Sequence, residues 1–152
     1  MALTRRELCI LMPALMAAGT AIGESENDAG MQTLPSKIYD YSRLPKEAAK
    51  GHNYIPIFSG KTDSGMPIEM HESEIAPGHV VHELYRHPGD ELFLVREGLL
   101  EVEFNGNRSQ VGPGSVAYIA SNTEYAIRNT SKGWTRYFVF LLGPHHPPIS
   151  RK

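Results

Sequence analysis

From Ile38 onward the chain is a series of short apolar-rich runs cut by Gly, Pro and Asn. The runs fall at residues 54–58, 68–75, 80–87, 91–95, 99–104, 108–111, 116–120, 125–129 and 135–142. The cuts are Pro77-Gly78, Pro88-Gly89-Asp90, Asn105-Gly106-Asn107, Gly112-Pro113-Gly114, Asn122 and Ser131-Lys132-Gly133. This punctuation excludes long helices, because Pro removes a backbone donor and Gly and Asn favour turns. Strands at such spacing point to an antiparallel sandwich or barrel. Leu100, Val102 and Phe104 alternate with Glu101 and Glu103, the pattern of a half-buried strand. The Asn105-Gly106 pair that follows is a hairpin signal. Only residues 44–50 read as helical, and no internal repeat is visible.

Length and charge narrow the class further. A chain of 152 residues has room for one core. Its formal net charge of −2 argues against a nucleic-acid binder, which would show a basic face. Blocks of like charge, heptads and low-complexity tracts are absent, which argues against coiled coil and full disorder.

The N-terminus reads as an address. Arg5 and Arg6 precede an apolar run that ends near Ala18, followed by small residues at Gly19, Ala21 and Gly23. That is the layout of a secretory signal, and the run falls short of the roughly 20 residues a membrane span needs. Thr4-Arg5-Arg6 also resembles a twin-arginine export signal, although Leu8 and Cys9 depart from its preferred residues. Residues 1–21 are therefore expected to be a signal peptide and 22–36 a mobile linker, leaving 37–152 as the folded domain. Cleavage after Ala21 would remove Cys9, the only cysteine. The mature protein is expected to be periplasmic or extracellular.

Residues 77–98 read PGHVVHELYRHPGDELFLVREG. This resembles the first motif of the cupin superfamily: a glycine, about five residues, His-x-His, three or four residues, a Glu, six residues and a Gly. His87, Glu91 and Gly98 match. The first motif histidine falls on Tyr85, and the spacer from Gly78 is one residue longer than usual. In the second motif Gly106, Pro113 and Asn129 match, and the motif histidine falls on Tyr125. The resemblance spans residues 68–142. It implies an all-β fold, a single double-stranded β-helix (jelly-roll) barrel, often dimeric.

In metal-binding cupins four positions hold three histidines and a glutamate around Fe, Mn, Ni, Zn or Cu. Here they are Tyr85, His87, Glu91 and Tyr125. Residues two apart on a strand share a face, so positions 85 and 87 can both point into a barrel. A neutral phenol is a poor metal ligand, and its ring would fill the metal's volume. The expectation is that Tyr85 and Tyr125 plug the barrel and hydrogen-bond to His87 and Glu91, with no metal or only a weakly bound divalent or transition ion. If an ion binds, His87 and Glu91 would hold it, joined by Tyr85 or Tyr125. Phe93, Val102 and Asn129 are the expected neighbours of the pocket.

Other candidates are weaker on parity and distance. His79 and Glu83 share the parity of His87 but lie too far along a straight strand, and His82 has the opposite parity. His71 sits on the preceding run and its direction is open. His145-His146 read as a solvated pair in a Pro-rich tail. Gly112-Pro113-Gly114 lacks the Lys-Ser/Thr and the helix of a phosphate cradle, and no G-x-S-x-G elbow is present. Trp134 to Phe138 would start a core or interface strand. Arg128 and Arg136 could reach an acidic ligand at the barrel mouth, with plain surface charge as the default reading.

The residues thus favour an exported, small-molecule-binding barrel with a degenerate metal site. The alternatives are a metal-dependent enzyme of oxygenase or isomerase type and a non-catalytic structural or interaction barrel. No nucleic acid and no membrane contact are expected of the mature form. A homodimer could form by pairing of the 39–58 segment with a partner's sheet edge.

Overall fold

The computed structural model describes residues 30–144. The expected signal, residues 22–29 of the expected linker and His145-His146 lie outside the described residues. Ten strands follow a 3-10 turn at Tyr41–Arg43: β1 (Glu47–Ala49), β2 (His52–Lys61), β3 (Pro67–Ile75), β4 (Val80–Arg86), β5 (Asp90–Glu97), β6 (Leu100–Phe104), β7 (Asn107–Val111), β8 (Val116–Ile119), β9 (Glu124–Arg128) and β10 (Thr135–Leu142). They form a six-stranded sheet in the order β1-β2-β3-β10-β5-β8 and a four-stranded sheet in the order β4-β9-β6-β7. Every named pairing is antiparallel. Among the described residues no helix is long and apolar enough to cross a membrane.

The expected strands β2 to β10 all form, because period-2 patterning and turn chemistry agree along the chain. Asn105 and Gly106 adopt positive φ values of 50° and 74°. They join β6 to β7 with Phe104 opposite Asn107, a two-residue hairpin of the primed type. The helix expected over residues 44–50 is absent. Residues Glu47–Ala49 instead pair with His52 to Tyr54 through a tight turn at Lys50-Gly51. Helix formation there would need a nucleus longer than this short segment provides, whereas the strand gains partners on β2 at once.

The expected linker also ends earlier than residue 36. Leu34 N donates to Lys61 O at 2.8 Å, and Lys61 N donates to Gln32 O at 2.9 Å. Gly60 permits this, since a Cβ there would lie 2.6 Å from Gln32 O. The chain then crosses the outer face of the six-stranded sheet. There Tyr41 donates its hydroxyl to the buried Glu72. Arg96 pairs with the same carboxylate at 2.9 Å and lies 5.0 Å over the Tyr41 ring. Glu74 accepts from Lys46, from Asn53 at 2.8 Å and from Arg136 at 3.1 Å. These partners offset the charge of two carboxylates held out of water, Glu72 Oε1 facing Arg96 as an ion pair without a hydrogen bond.

The core lies between the sheets and is uneven along the barrel. Ile75, Val95, Leu100, Val102 and Ile127 fill one half with apolar side chains. The other half is reached where β3 and β5 begin and β4 and β10 end. Its inward positions include Glu69 and Glu91, which flank Leu141 in register. The barrel therefore has an apolar plug at one end and a polar floor near the other.

Candidate functional site

Three elements converge on the polar end. β5 starts at Asp90, directly after Pro88-Gly89, which carries the chain from the four-stranded to the six-stranded sheet. The turn holds His87 behind β4 and places Glu91 at the start of β5, where it pairs with Ile119 and Leu141. β9 delivers Tyr125 directly opposite Tyr85. Tyr125 donates its hydroxyl to Glu91 Oε2. Gly89 N donates to His87 Nδ1 at 3.1 Å, so that nitrogen accepts and the neutral ring carries its proton on Nε2. His87 Nδ1 stands 3.7 Å from Glu91 Oε1.

Burial sets the electrostatics. Glu91 is 5% exposed. Loss of hydration pushes its carboxyl up to about 7, with a further push from the Glu69 charge and an opposing pull from the Tyr125 hydroxyl. Burial, then the Glu91 charge, pushes the Tyr125 hydroxyl far above its ordinary range. Tyr125 is therefore held as a phenol and acts as a donor to a carboxyl that titrates near neutrality.

The expected site residues separate into three groups. Tyr125, Glu91 and His87 are brought together and buried, with Phe93 packed 5.8 Å from the Tyr125 ring. Tyr85 stands at the mouth, 37% exposed, with its ring 6.3 Å from both His87 and Tyr125. It shields the pair as a ring. Val102 belongs to the apolar half, opposite Ile127. Asn129 does not line the polar end. Its amide donates to Ile75 O at 3.0 Å and Gly133 O at 2.7 Å, and its Oδ1 accepts from Ser131 N and Oγ. Four hydrogen bonds commit it to stapling the β9–β10 loop at the opposite end.

Sequence reasoning missed His82, Tyr54, Glu69 and His71. Parity placed His82 on the wrong face. Between the His82–Ile127 and Tyr85–Tyr125 pairs, β4 advances three residues while β9 advances two. That bulge returns His82 to the inner face, with its ring 4.9 Å from Tyr125. The longer spacer after Gly78 was the available signal, since its extra residue falls in the bulged strand. Burial lowers the pKa of His82, whose Nδ1–H donates to Glu83 O at 2.9 Å. Glu83 is exposed. On β3, Glu69 and His71 face inward beside Tyr54, a direction the sequence left open because Ile68 and Met70 offer an equally apolar alternate face.

The residues do not fit a cupin metal centre. Two of the four ligand positions are phenols, and one of these already occupies the Glu91 carboxylate. Among the described residues no group of three or more His, Cys, Asp or Glu side chains is arranged to hold an ion. Arg128 and Arg136 stay on outer faces, paired with Glu101, Glu103, Glu74 and Glu97. A groove of about 460 Å³ lies outside the barrel, lined by Leu84, Arg86, Glu103, Asn105, Asn122 and Glu124.

Comparison with known proteins agrees with this architecture. Residues 71–141 match the cupin domain family. The fold is that of the cupin barrel, shared with solved structures of low identity. A cupin-2 domain from Rhodospirillum rubrum is 16% identical with a TM-score of 0.60, covering 80% of this chain and 83% of its own. The polyketide cyclase RemF from Streptomyces resistomycificus is 15% identical with a TM-score of 0.60, covering 74% and 83%. KdgF from Halomonas sp. is 14% identical with a TM-score of 0.61, covering 72% and 96%. A comparison with curated protein sequences found no match.

Proposed function

We propose that this is an exported cupin-fold protein that binds a small molecule at the polar end of its barrel without a tightly held metal. The observation that carries this reading is the Tyr125–Glu91 hydrogen bond. A phenol stands where metal-binding cupins place a histidine, and it engages the one glutamate such a centre would need. What remains is a buried donor–acceptor pair beside a neutral imidazole, under a half-open tyrosine ring. A few convergent polar groups among aromatic walls are the usual furniture of a small-molecule site. The signal-like N-terminus supports export.

Metal analysis of the untagged protein tests the proposal. Stoichiometric Fe, Mn, Ni, Zn or Cu that is lost in His87→Ala overturns it. Metal-free protein whose melting temperature rises with a small-molecule ligand, and whose Tyr125→Phe variant loses that rise, supports it.

A homodimer is favoured by a separate observation. Phe58, Met70, Phe140, Leu92 and Tyr118 stand side by side across five strands on the outer face of the six-stranded sheet. Val116 and Tyr118 at its edge are 55% and 56% exposed. Phe58, Met70, Leu92 and Phe140 are half-buried, with Tyr39 packed on Phe58, so the exposed end of the row at Val116 and Tyr118 is the surface a partner would meet. It stands beside the strand-edge contact expected for residues 39–58, which β1, as the edge strand of the six-stranded sheet, would offer to a partner.

A further inference from the structure

The groove outside the barrel is a second place where polar groups converge, and the cupin motif positions do not reach it. Its volume of about 460 Å³ is that of a small-molecule site. Sheet geometry builds it. Tyr125 and Ile127 on β9, and Leu100 and Val102 on β6, point into the core. Alternation therefore turns Glu124, Ala126 and Arg128, with Glu101 and Glu103, to the outer face. Arg86 stands opposite Glu124, and Ala126 opposite Glu103, so the groove crosses β4, β9 and β6. The Asn105-Gly106 hairpin and the Asn122-Thr123 segment wall its end. Asn122 N donates to His87 O at 2.7 Å, and Asn122 O accepts from Arg86 Nη1 at 3.0 Å. These two bonds fix the wall and the guanidinium together.

The lining selects the ligand. Glu103 pairs with Arg108 at 3.0 Å and with Arg128 at 2.7 Å. Arg128 also reaches Glu101 at 3.5 Å, and Arg86 reaches Glu124 at 3.7 Å. Three carboxylates thus face three guanidiniums, and neither an anion nor a cation gains a net field. The side chains of Arg86 and Glu124 stay 63% and 48% exposed, within reach of a ligand. Backbone hydrogen bonds of a sheet lie in its plane, so a ligand on the face meets side chains instead. Here those are carboxylate, guanidinium and amide groups, planar forks that engage two neighbouring hydroxyls at once. Asn107 engages the backbone oxygen of Asn105 at 3.3 Å, and the exposed Asn105 carboxamide is left to solvent. Leu84, 53% exposed, adds an apolar surface beside these groups. A sugar ring carries the matching mixture: hydroxyls around its rim and a C–H face.

We propose that this groove binds a neutral pyranoside, with its C–H face on Leu84 and its hydroxyls on Glu124, Arg86 and Asn105. The site is separate from the polar end of the barrel and stands whether or not a ligand enters there.

The test titrates methyl glucoside, methyl galactoside and methyl mannoside into the full, isotope-labelled chain, read by amide and methyl NMR. At least one is expected to shift the Asn105 and Asn122 amides and the Leu84 methyls, and to saturate. Arg86→Gln is expected to weaken that binding about tenfold and Leu84→Ala about fivefold. Asn105→Gly is expected to weaken it about threefold. Glycine suits the φ of 50° at that position, so this variant decides the matter should Arg86→Gln fail to fold. Lys132→Gln, in the β9–β10 loop at the opposite end, keeps the wild-type affinity. Absence of saturable shifts with all three sugars up to about 100 mM overturns the proposal. So does wild-type affinity in Leu84→Ala and Asn105→Gly. Tighter binding of glucuronate or glucosamine than of methyl glucoside overturns the neutral ligand, and equal shifts with N-acetylglycinamide overturn the sugar. Shifts confined to His82, His87 and Tyr125 overturn the groove while supporting the site at the polar end.

Discussion

Glu91→Gln isolates the energetic cost of the buried carboxylate. In the folded chain the Glu91 carboxyl sits at about 7 rather than 4.5. Between those values the folded state holds a proton that the unfolded state has released. Unfolding free energy therefore falls as pH rises through this window. The loss begins near the unfolded value and is complete once pH exceeds the folded one. Its size follows from the displacement, roughly 3 kcal/mol at 1.36 kcal/mol per pH unit. Gln cannot ionise, yet its carbonyl still accepts the Tyr125 hydroxyl. At about pH 5 the two proteins should differ by less than about 1 kcal/mol. At about pH 8.5 the variant should be the more stable, by roughly 2 to 3 kcal/mol. The groups facing Glu91 are Tyr125, His87 and Glu69, and removal of one charge also relieves the repulsion with Glu69. His82, whose pKa burial lowers, titrates in both proteins and largely cancels in the difference. Urea unfolding at the two pH values, with unchanged slope, reads the effect directly. Parallel stability curves for the two proteins, or a less stable variant at the higher pH, would refute the reasoning.

Tyr125→Phe removes the donor to Glu91 and should cost about 1 to 3 kcal/mol above neutral pH, with a smaller loss at about pH 5, read by the same unfolding curves. Tyr85→His combined with Tyr125→His should confer stoichiometric metal binding, read by elemental analysis, because the two positions pair directly across β4 and β9. No gain would mean that these positions do not project together into the barrel. Asn129→Ala strips four hydrogen bonds at the far end and should destabilise by about 3 kcal/mol without changing ligand binding at the polar end. Tyr118→Glu combined with Leu92→Glu should convert a dimer to a monomer in light scattering. An unchanged mass would remove the outer face as the interface.

How much of this was legible in the sequence depends on which physical signal each feature leaves. Strands and turns were legible because alternation and Gly/Pro/Asn punctuation are local. The apolar half followed from the same alternation, and the Tyr125–Glu91 contact followed from motif spacing. Failures occurred where local rules lose force. Residues 44–50 lack a long apolar period, so the strand at Glu47–Ala49 depends on β2 being there to pair with it. Asn129 occupies a motif position, and only the path of the loop shows that its amide is consumed by Ile75 and Gly133.

The hardest feature to read was the direction of side chains on β3 and β4, and it decides the chemistry. On β3 both faces alternate apolar with acidic residues: Ile68, Met70, Glu72 and Glu74 against Glu69, His71, Ser73 and Ile75. A carboxylate is costly on either face, so hydrophobicity cannot choose. The structure resolves this by giving each buried carboxylate its own donors. Glu72 and Glu74 receive Tyr41, Arg96, Lys46, Asn53 and Arg136 from the strap and neighbouring strands. Glu69 accepts from Tyr54 and pairs with His71. The two solutions differ in what they leave behind. Fixed cations neutralise the outer carboxylates and make that face a structural joint. A carboxylate satisfied by an imidazole and a phenol stays coupled to groups that can move protons. The seven histidines in the sequence first suggest a metal. Among the described residues, His71, His82 and His87 instead stand around a barrel in which phenols take two of the four metal-ligand positions.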